Sequence, residues 1–264
     1  IFYSDFAVIH IKADRVLAEP PKVLIRDREW SEEIMDVRQK TLLTYETVVE
    51  FQTETSREMF VAISAVGLKG EWDRKLLTLN QQFVQLTGGT VSSEDGRALA
   101  NFESEDVYQA FFADVWDEPS SSTDELTSVG LAYQFLPHNV PFKGPVELVL
   151  FYPKGFKLFE KLGVYERNFD GRWKFLGNDL DPKLGAVCTE VRNFSTYGLF
   201  LDTTPPEVKN LRPISGTETT DLHPLLFANL RDVGSGIGRE EDIVFRLNGS
   251  PVIFEFDPEK GTIS

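Results

Sequence analysis

Apolar and polar residues alternate with a period of two along most of the chain. The alternation is clearest at residues 6–13 and 59–65, and it recurs at 145–152, 187–193, 195–201, 243–247 and 252–256. Since successive side chains of a strand point to opposite faces of a sheet, this period predicts half-buried β-strands. The pattern therefore predicts an all-β fold.

Turn residues separate these runs at short intervals. Asn248 and Gly249 lie between the last two runs, and this dipeptide tolerates the positive φ that a tight hairpin turn requires. Residues 31–37 and 104–114 instead place their apolar side chains at helical spacing, so we predict a short helical connection at each.

Two changes in composition predict domain boundaries. Pro205 and Pro206 lack the N–H that a sheet ladder needs, so a strand must end before them. A weaker, polar break lies at residues 80–82. We therefore predict tandem β-sandwich modules at residues 1–82, 83–203 and 204–264, which a chain of 264 residues is long enough to form.

Net charge limits the partners. The chain has 42 acidic and 27 basic residues and a net charge of −15, which disfavours nucleic acid and anionic lipid. No apolar run reaches the ~20 residues of a membrane helix, so we predict no direct membrane insertion. The single cysteine, Cys188, can form no intrachain disulfide.

The middle of the chain resembles the ZU5-like β-sandwich of bacterial surface proteins, ankyrins and netrin receptors. The segments that carry this resemblance are 88–91, 95–96, 127–137, 142–148, 163–165, 171–176 and 193–200. The flanks resemble immunoglobulin-like modules of bacterial surface proteins, on residues 202–206, 232–237 and 245–249 at the C-terminal side. The last module, at about 60 residues, is shorter than the ~100 of a full immunoglobulin-like sandwich, so we expect it to be incomplete.

The resemblance also raises one catalytic hypothesis. Some ZU5-like and related domains cleave their own chain at a His-Phe-Ser tripeptide, and the matching residues here are Asn193, Phe194 and Ser195. Asparagine is not a base near neutral pH, so the group that would activate the serine is missing. We expect an ordinary polar strand residue at Ser195 and predict that the chain is not an enzyme.

Acidic residues near the second boundary are candidate calcium ligands. Calcium prefers six to eight oxygen ligands, and clustered carboxylates can supply some of them. The candidates are Asp202, Asp232, Glu240, Glu241 and Asp242. A solvated acidic loop explains the same residues without metal, so we predict no cofactor and retain calcium as an alternative. The three histidines lie far apart without the spacing of a zinc site.

Three tryptophans have polar neighbours that would leave them exposed. Trp30, Trp72 and Trp116 are therefore candidates for stacking on a sugar or another ligand.

Together with the all-β pattern, the resemblance implies a structural or adhesive segment of an extracellular, surface-attached bacterial protein. Its expected partners are other domains or subunits of the same assembly, or a cell-surface protein or polysaccharide. One alternative is a ligand- or carbohydrate-binding region that serves a larger secreted enzyme. Another is a filament subunit fragment that a neighbour's strand completes.

Overall fold

The regular structure of this protein is almost entirely β-strand. The computed structural model describes residues 1–27, 32–51, 55–214, 216–218, 220–221, 223–237 and 240–264. Within these ranges, the only helical segments are two 3-10 helices at Phe159–Lys161 and Glu240–Asp242. The predicted all-β class is confirmed.

The strands follow one another with short connections. The first seven are β1 (Phe6–Lys12), β2 (Lys22–Asp27), β3 (Glu32–Met35), β4 (Arg38–Gln39), β5 (Thr44–Glu50), β6 (Arg57–Val66) and β7 (Trp72–Val84). The next ten are β8 (Gly89–Ser92), β9 (Ala98–Phe102), β10 (Phe111–Pro119), β11 (Leu126–Leu136), β12 (Val146–Phe151), β13 (Leu162–Arg167), β14 (Trp173–Gly177), β15 (Asp179–Asp181), β16 (Ala186–Val191) and β17 (Thr196–Asp202). The last six are β18 (Glu207–Arg212), β19 (Phe227–Arg231), β20 (Arg246–Leu247), β21 (Ser250–Pro251), β22 (Phe256–Asp257) and β23 (Thr262–Ile263).

One sheet of nine strands runs through the first two predicted modules. Its order is β14-β13-β17-β11-β10-β7-β6-β2-β3. A three-stranded sheet, β1-β5-β4, shares a core with the β2, β6 and β7 end of the large sheet. A five-stranded sheet, β15-β16-β12-β9-β8, shares a second core with the other end. The two sandwiches therefore have one sheet in common.

Strand β7 joins the two sandwiches. Over residues 72–81 it pairs with β6, and at 82–84 it pairs with β10. Phe83 packs against the first core, whereas Val84, the next residue, is fully buried in the second. Adjacent side chains of a strand point to opposite faces, so a single strand serves both cores. The boundary that the sequence places between residues 82 and 83 lies inside this strand.

Both predicted helical connections are wrong. In the first, Glu32–Met35 forms β3 and pairs with β2, while Ser31 lies outside the described residues. In the second, Phe111 begins β10, whose residues Phe111–Val115 are all buried. A strand covered on both faces shows a continuous apolar run rather than alternation, so its period gives no strand signal.

The third region forms a separate four-stranded sheet, β18-β19-β23-β22, and a small hairpin, β20-β21. The predicted turn is confirmed: Leu247 pairs with Ser250, and Asn248 and Gly249 have φ of 51° and 85°. These strands are shorter than the runs at 243–247 and 252–256 predict. Strand β17 ends at Asp202, before the two prolines, and β18 begins after them.

Candidate functional site

A groove lies between β1 and β7, where the two sheets of the first sandwich separate. Its apolar floor consists of Ile9 and Ile11 from β1, Ile63 from β6 and Leu77 from β7. We call it the β1 groove. It has a volume of about 730 Å³ and adjoins a smaller cavity of about 250 Å³ that shares Ile9 and Leu77. The combined channel follows the outer edge of β1.

Two of the candidate tryptophans line opposite ends of this channel. Trp72, the first residue of β7, is 64% exposed and lines the β1 groove. Trp116, on β10, is 40% exposed and lines the smaller cavity. Trp30 lies outside the described residues. The topology thus brings together two indoles that the sequence separates by 44 residues.

The charge around the β1 groove differs from that of the whole chain. Lys12, Arg74 and Lys75 are exposed along its rim, as are Asp14 and Asp73, although the chain carries a net charge of −15. Arg15 and Glu71 also line the groove and form an ion pair of 3.2 Å. The groove therefore offers an apolar floor beside a rim of mixed charge, with four basic and three acidic side chains.

Asp114 is a buried carboxyl group that sequence reasoning missed. It is fully buried, and burial raises its pKa from 3.8 to about 6. One oxygen accepts hydrogen bonds from the backbone N–H of Asn80 and from Trp116 Nε1, at 3.1 and 2.8 Å. The other accepts the Val115 N–H at 2.8 Å. Asp114 therefore fixes the Trp116 indole and links β10 to β7. The feature of the sequence that marks this residue is a single acidic side chain inside an apolar run.

The candidate calcium ligands form a partial cluster. Asp202 and Asp232 lie near one another, and after burial the Asp202 charge is a further cause of the raised pKa of Asp232. Asp202 Oδ2 accepts the Ser235 N–H at 2.6 Å, and Asp202 Oδ1 accepts the Thr204 N–H at 2.9 Å. The Asp202 carboxylate thus binds loop amides on both sides of the junction.

Glu240 and Glu241 belong to the second 3-10 helix, as does the backbone of Asp242. The structure brings no three metal-binding side chains together to hold a cation, as far as the described residues extend. A second acidic region, with Glu103, Asp106 and Glu147, lines a trough of about 1080 Å³ beside Cys188. Burial, followed by neighbouring carboxylates, raises the pKa of the Cys188 thiol.

The residues of the self-cleavage hypothesis lie just before β17. Phe194 is buried among the rings of Phe102, Phe135 and Phe142, and Ser195 is half-buried. Asn193 Nδ2 donates to the Phe194 carbonyl oxygen at 3.2 Å.

Tyr197 fixes the backbone of this segment. Its hydroxyl donates to the Asn193 carbonyl oxygen at 2.5 Å, four residues upstream. This contact has the geometry of the tyrosine corner of Greek-key sandwiches. The Tyr197 hydroxyl therefore holds the backbone at Asn193, next to the buried ring of Phe194.

The histidines occupy three unrelated places. His10 lies on β1 beside the groove, and His223 lies in a loop of the third region. His138 is exposed in the loop after β11, and partial desolvation of its ring, followed by the charge of Arg167, lowers its pKa.

Neither a family model nor a curated protein matches this chain. Among the described residues, no helix combines the length and apolar character needed to cross a bilayer.

Proposed function

We propose that this chain is a non-catalytic structural or adhesive segment of an extracellular, surface-attached multidomain protein. The observation that carries the proposal is the path of β7, which pairs with β6 in one sandwich and with β10 in the next. A flexible linker lets neighbouring domains reorient, whereas a shared strand holds them in one geometry. A rigid pair of modules is suited to extending or presenting a surface.

Aromatic packing supports the same proposal. Phe112 of β10 is buried in the first core, although its strand belongs to the second sandwich. Its ring lies 5.2 Å from that of Phe51 and 4.9 Å from that of Phe83, measured between centroids. Contacts of this kind add to the stability that buried ring area provides. Bending the modules apart would break this packing as well as the ladder.

The family assignment remains part of the proposal. We propose a ZU5-like middle module between immunoglobulin-like neighbours, as the sequence resemblance implies. The Tyr197 contact described above and the two-sheet core are consistent with a Greek-key sandwich. The proposed partners are other domains or subunits of the same surface assembly.

Pulsed electron–electron double resonance tests the rigid pairing of the first two modules. Nitroxide labels on Leu68→Cys and Phe169→Cys, in a Cys188→Ser background, report the distance between the sandwiches. Leu68 is 69% exposed in the first, and Phe169 is fully exposed in the second. We expect one narrow distance distribution.

The matched control places both labels in the second module, at Tyr108→Cys and Phe169→Cys, since Tyr108 is also exposed. Equal widths for the two pairs support a rigid unit. An inter-module distribution clearly broader than the control, or one with several maxima, contradicts the proposal.

A further inference from the structure

We propose that the β1 groove binds an extended segment of a partner polypeptide, which adds to the edge of β1 as an antiparallel strand. This inference is independent of rigid spacing, because it concerns one edge of the first sandwich alone. It assigns a partner class to a surface that no other observation explains.

The first argument is the hydrogen-bonding direction of the β1 backbone. Ala13 N–H donates to the Leu43 carbonyl oxygen, and Phe51 N–H donates to that of Asp5, so the odd-numbered residues face β5. The backbone N–H and C=O groups of successive residues in a strand point to alternate edges. Those of the even-numbered residues therefore point away from β5. The N–H and C=O groups of His10 and Lys12 therefore point into the groove, where no described strand pairs with them.

The second argument is that a short piece of strand already occupies the start of this edge. Ile1 and Val8 exchange hydrogen bonds of 2.7 Å in both directions, and Tyr3 N–H donates to the Phe6 carbonyl oxygen at 2.8 Å. Phe2 pairs with Ala7 and is buried in the first core. The edge of β1 thus accepts an antiparallel strand and places its alternate side chains in the core. Continued past Ile1, the same register reaches His10 and Lys12.

The third argument is the shape and chemistry of the groove. The stretch Ile9–Ala13 spans roughly 17 Å at about 3.4 Å per residue, which is enough for five residues of an added strand. Partner side chains opposite Ile9 and Ile11 would lie on the apolar floor. The residue opposite Lys12 would point outward, beside the ammonium group of Lys12. An occupant with alternating apolar residues and an acidic residue fits this arrangement.

These features favour a polypeptide over a polysaccharide. Paired outward N–H and C=O groups at a two-residue repeat match the backbone of a strand, which is the basis of recognition by strand addition. A sugar would need an exposed aromatic face, and the stacking surface here is confined to the ends of the channel, at Trp72 and Trp116. Sugar binding is therefore an alternative outcome of the test.

The probe is the peptide acetyl-Val-Glu-Val-Thr-Val-amide, which places Thr opposite His10 and Glu opposite Lys12. Titration into ¹⁵N-labelled protein should shift amide resonances at Ile9–Ala13 and Trp72–Leu77. The control peptide, acetyl-Val-Pro-Val-Pro-Val-amide, lacks the two N–H groups that face His10 and Lys12, so it should bind at least tenfold more weakly.

A second measurement joins the five residues Val-Glu-Val-Thr-Val to the amino group of Ile1, which raises their effective concentration at the groove. In that protein, hydrogen exchange of the Lys12 amide should slow at least tenfold.

Two variants separate backbone pairing from side-chain effects. His10→Pro removes an outward N–H while keeping every bond to β5, and His10→Thr keeps that N–H. We expect peptide binding to fall at least tenfold in His10→Pro and to stay within threefold in His10→Thr. Lys12→Pro makes the same test at the next outward N–H of β1, two residues after His10. Circular dichroism shows whether each variant is folded.

Three results would overturn the proposal. The first is unchanged Lys12 exchange in the protein that carries the five added residues. The second is equal peptide binding by His10→Pro and His10→Thr. If hexagalacturonate instead shifts the Trp72 indole resonance and does so equally in His10→Pro, the groove is a sugar site and the strand proposal is wrong. None of these results depends on the distance distribution between the modules.

Discussion

Removing one hydroxyl group should have opposite effects at two buried tyrosines of the second sandwich. Tyr197 is 1% exposed, and its hydroxyl holds the Asn193 carbonyl oxygen at 2.5 Å. Tyr165 is fully buried, and its hydroxyl has no hydrogen-bond partner among the residues that the structure describes. A satisfied hydrogen bond stabilises a fold modestly, whereas a buried polar atom without a partner destabilises it.

The magnitudes follow from these environments. Tyr197→Phe should lower the free energy of unfolding by about 1–2 kcal/mol, since it removes one net-favourable bond. Tyr165→Phe should raise it by about 1 kcal/mol, since it removes a desolvated group with nothing to replace its water. The two variants delete the same atom from neighbouring strands. Their difference of about 2–3 kcal/mol therefore isolates the effect of the partner.

Urea unfolding followed by tryptophan fluorescence measures both values by linear extrapolation. Equal m-values in the wild type and the two variants would show that the unfolded states are comparable. A Tyr165→Phe variant that loses as much stability as Tyr197→Phe would refute the reasoning, because it would give that hydroxyl a favourable contact.

Two further predictions concern Asp114 and the second junction. The pKa of Asp114 is raised to about 6 by burial, so the folded state holds this proton more tightly than the unfolded state does. The stability of the wild type relative to Asp114→Asn should therefore fall by about 3 kcal/mol between pH 4 and pH 6, and stay level above. Urea titrations across this range measure it, and a pH-independent difference would contradict the raised pKa. At the junction, a Cβ on Gly234 would overlap the Asp202 carboxylate that accepts the Ser235 N–H, so Gly234→Ala should speed exchange of the Ser235 amide at least tenfold. The matched control is Ser235→Ala, which keeps the Ser235 amide; Gly236→Ala is unsuitable because Gly236 has φ of 76°. Equal exchange of this amide in Gly234→Ala and Ser235→Ala would show that the Cβ on residue 234 is tolerated.

The sequence predicts local structure where one face of a strand is buried and the other is not. Residues 59–65 alternate, and they form the central part of β6. Asn248 and Gly249 predict their turn because the required φ depends on those two residues alone. The helical predictions failed at β3, where the pairing with β2 overrides the apolar spacing, and at β10, where both faces are buried.

The site could be predicted only in part, because it depends on contacts between distant segments. Exposed tryptophans were expected at residues 72 and 116, but nothing local indicates that they lie along one channel. The open edge of β1 follows from the pairing of Phe2 with Ala7 and from the choice of β5 as the other partner. Asp202 and Asp232 lie 30 residues apart, and the fold uses them first to bind loop amides.

The position of Phe83 and Val84 on β7 restricts how this region can change over evolution. A one-residue insertion or deletion in a strand moves every later side chain to the opposite face. In β7 such a change would turn Phe83 away from the first core and Val84 away from the second at the same time. Loops elsewhere can lengthen with little effect, but β7 cannot vary in length without damage to two cores, so homologous chains should retain its length even where their sequences diverge.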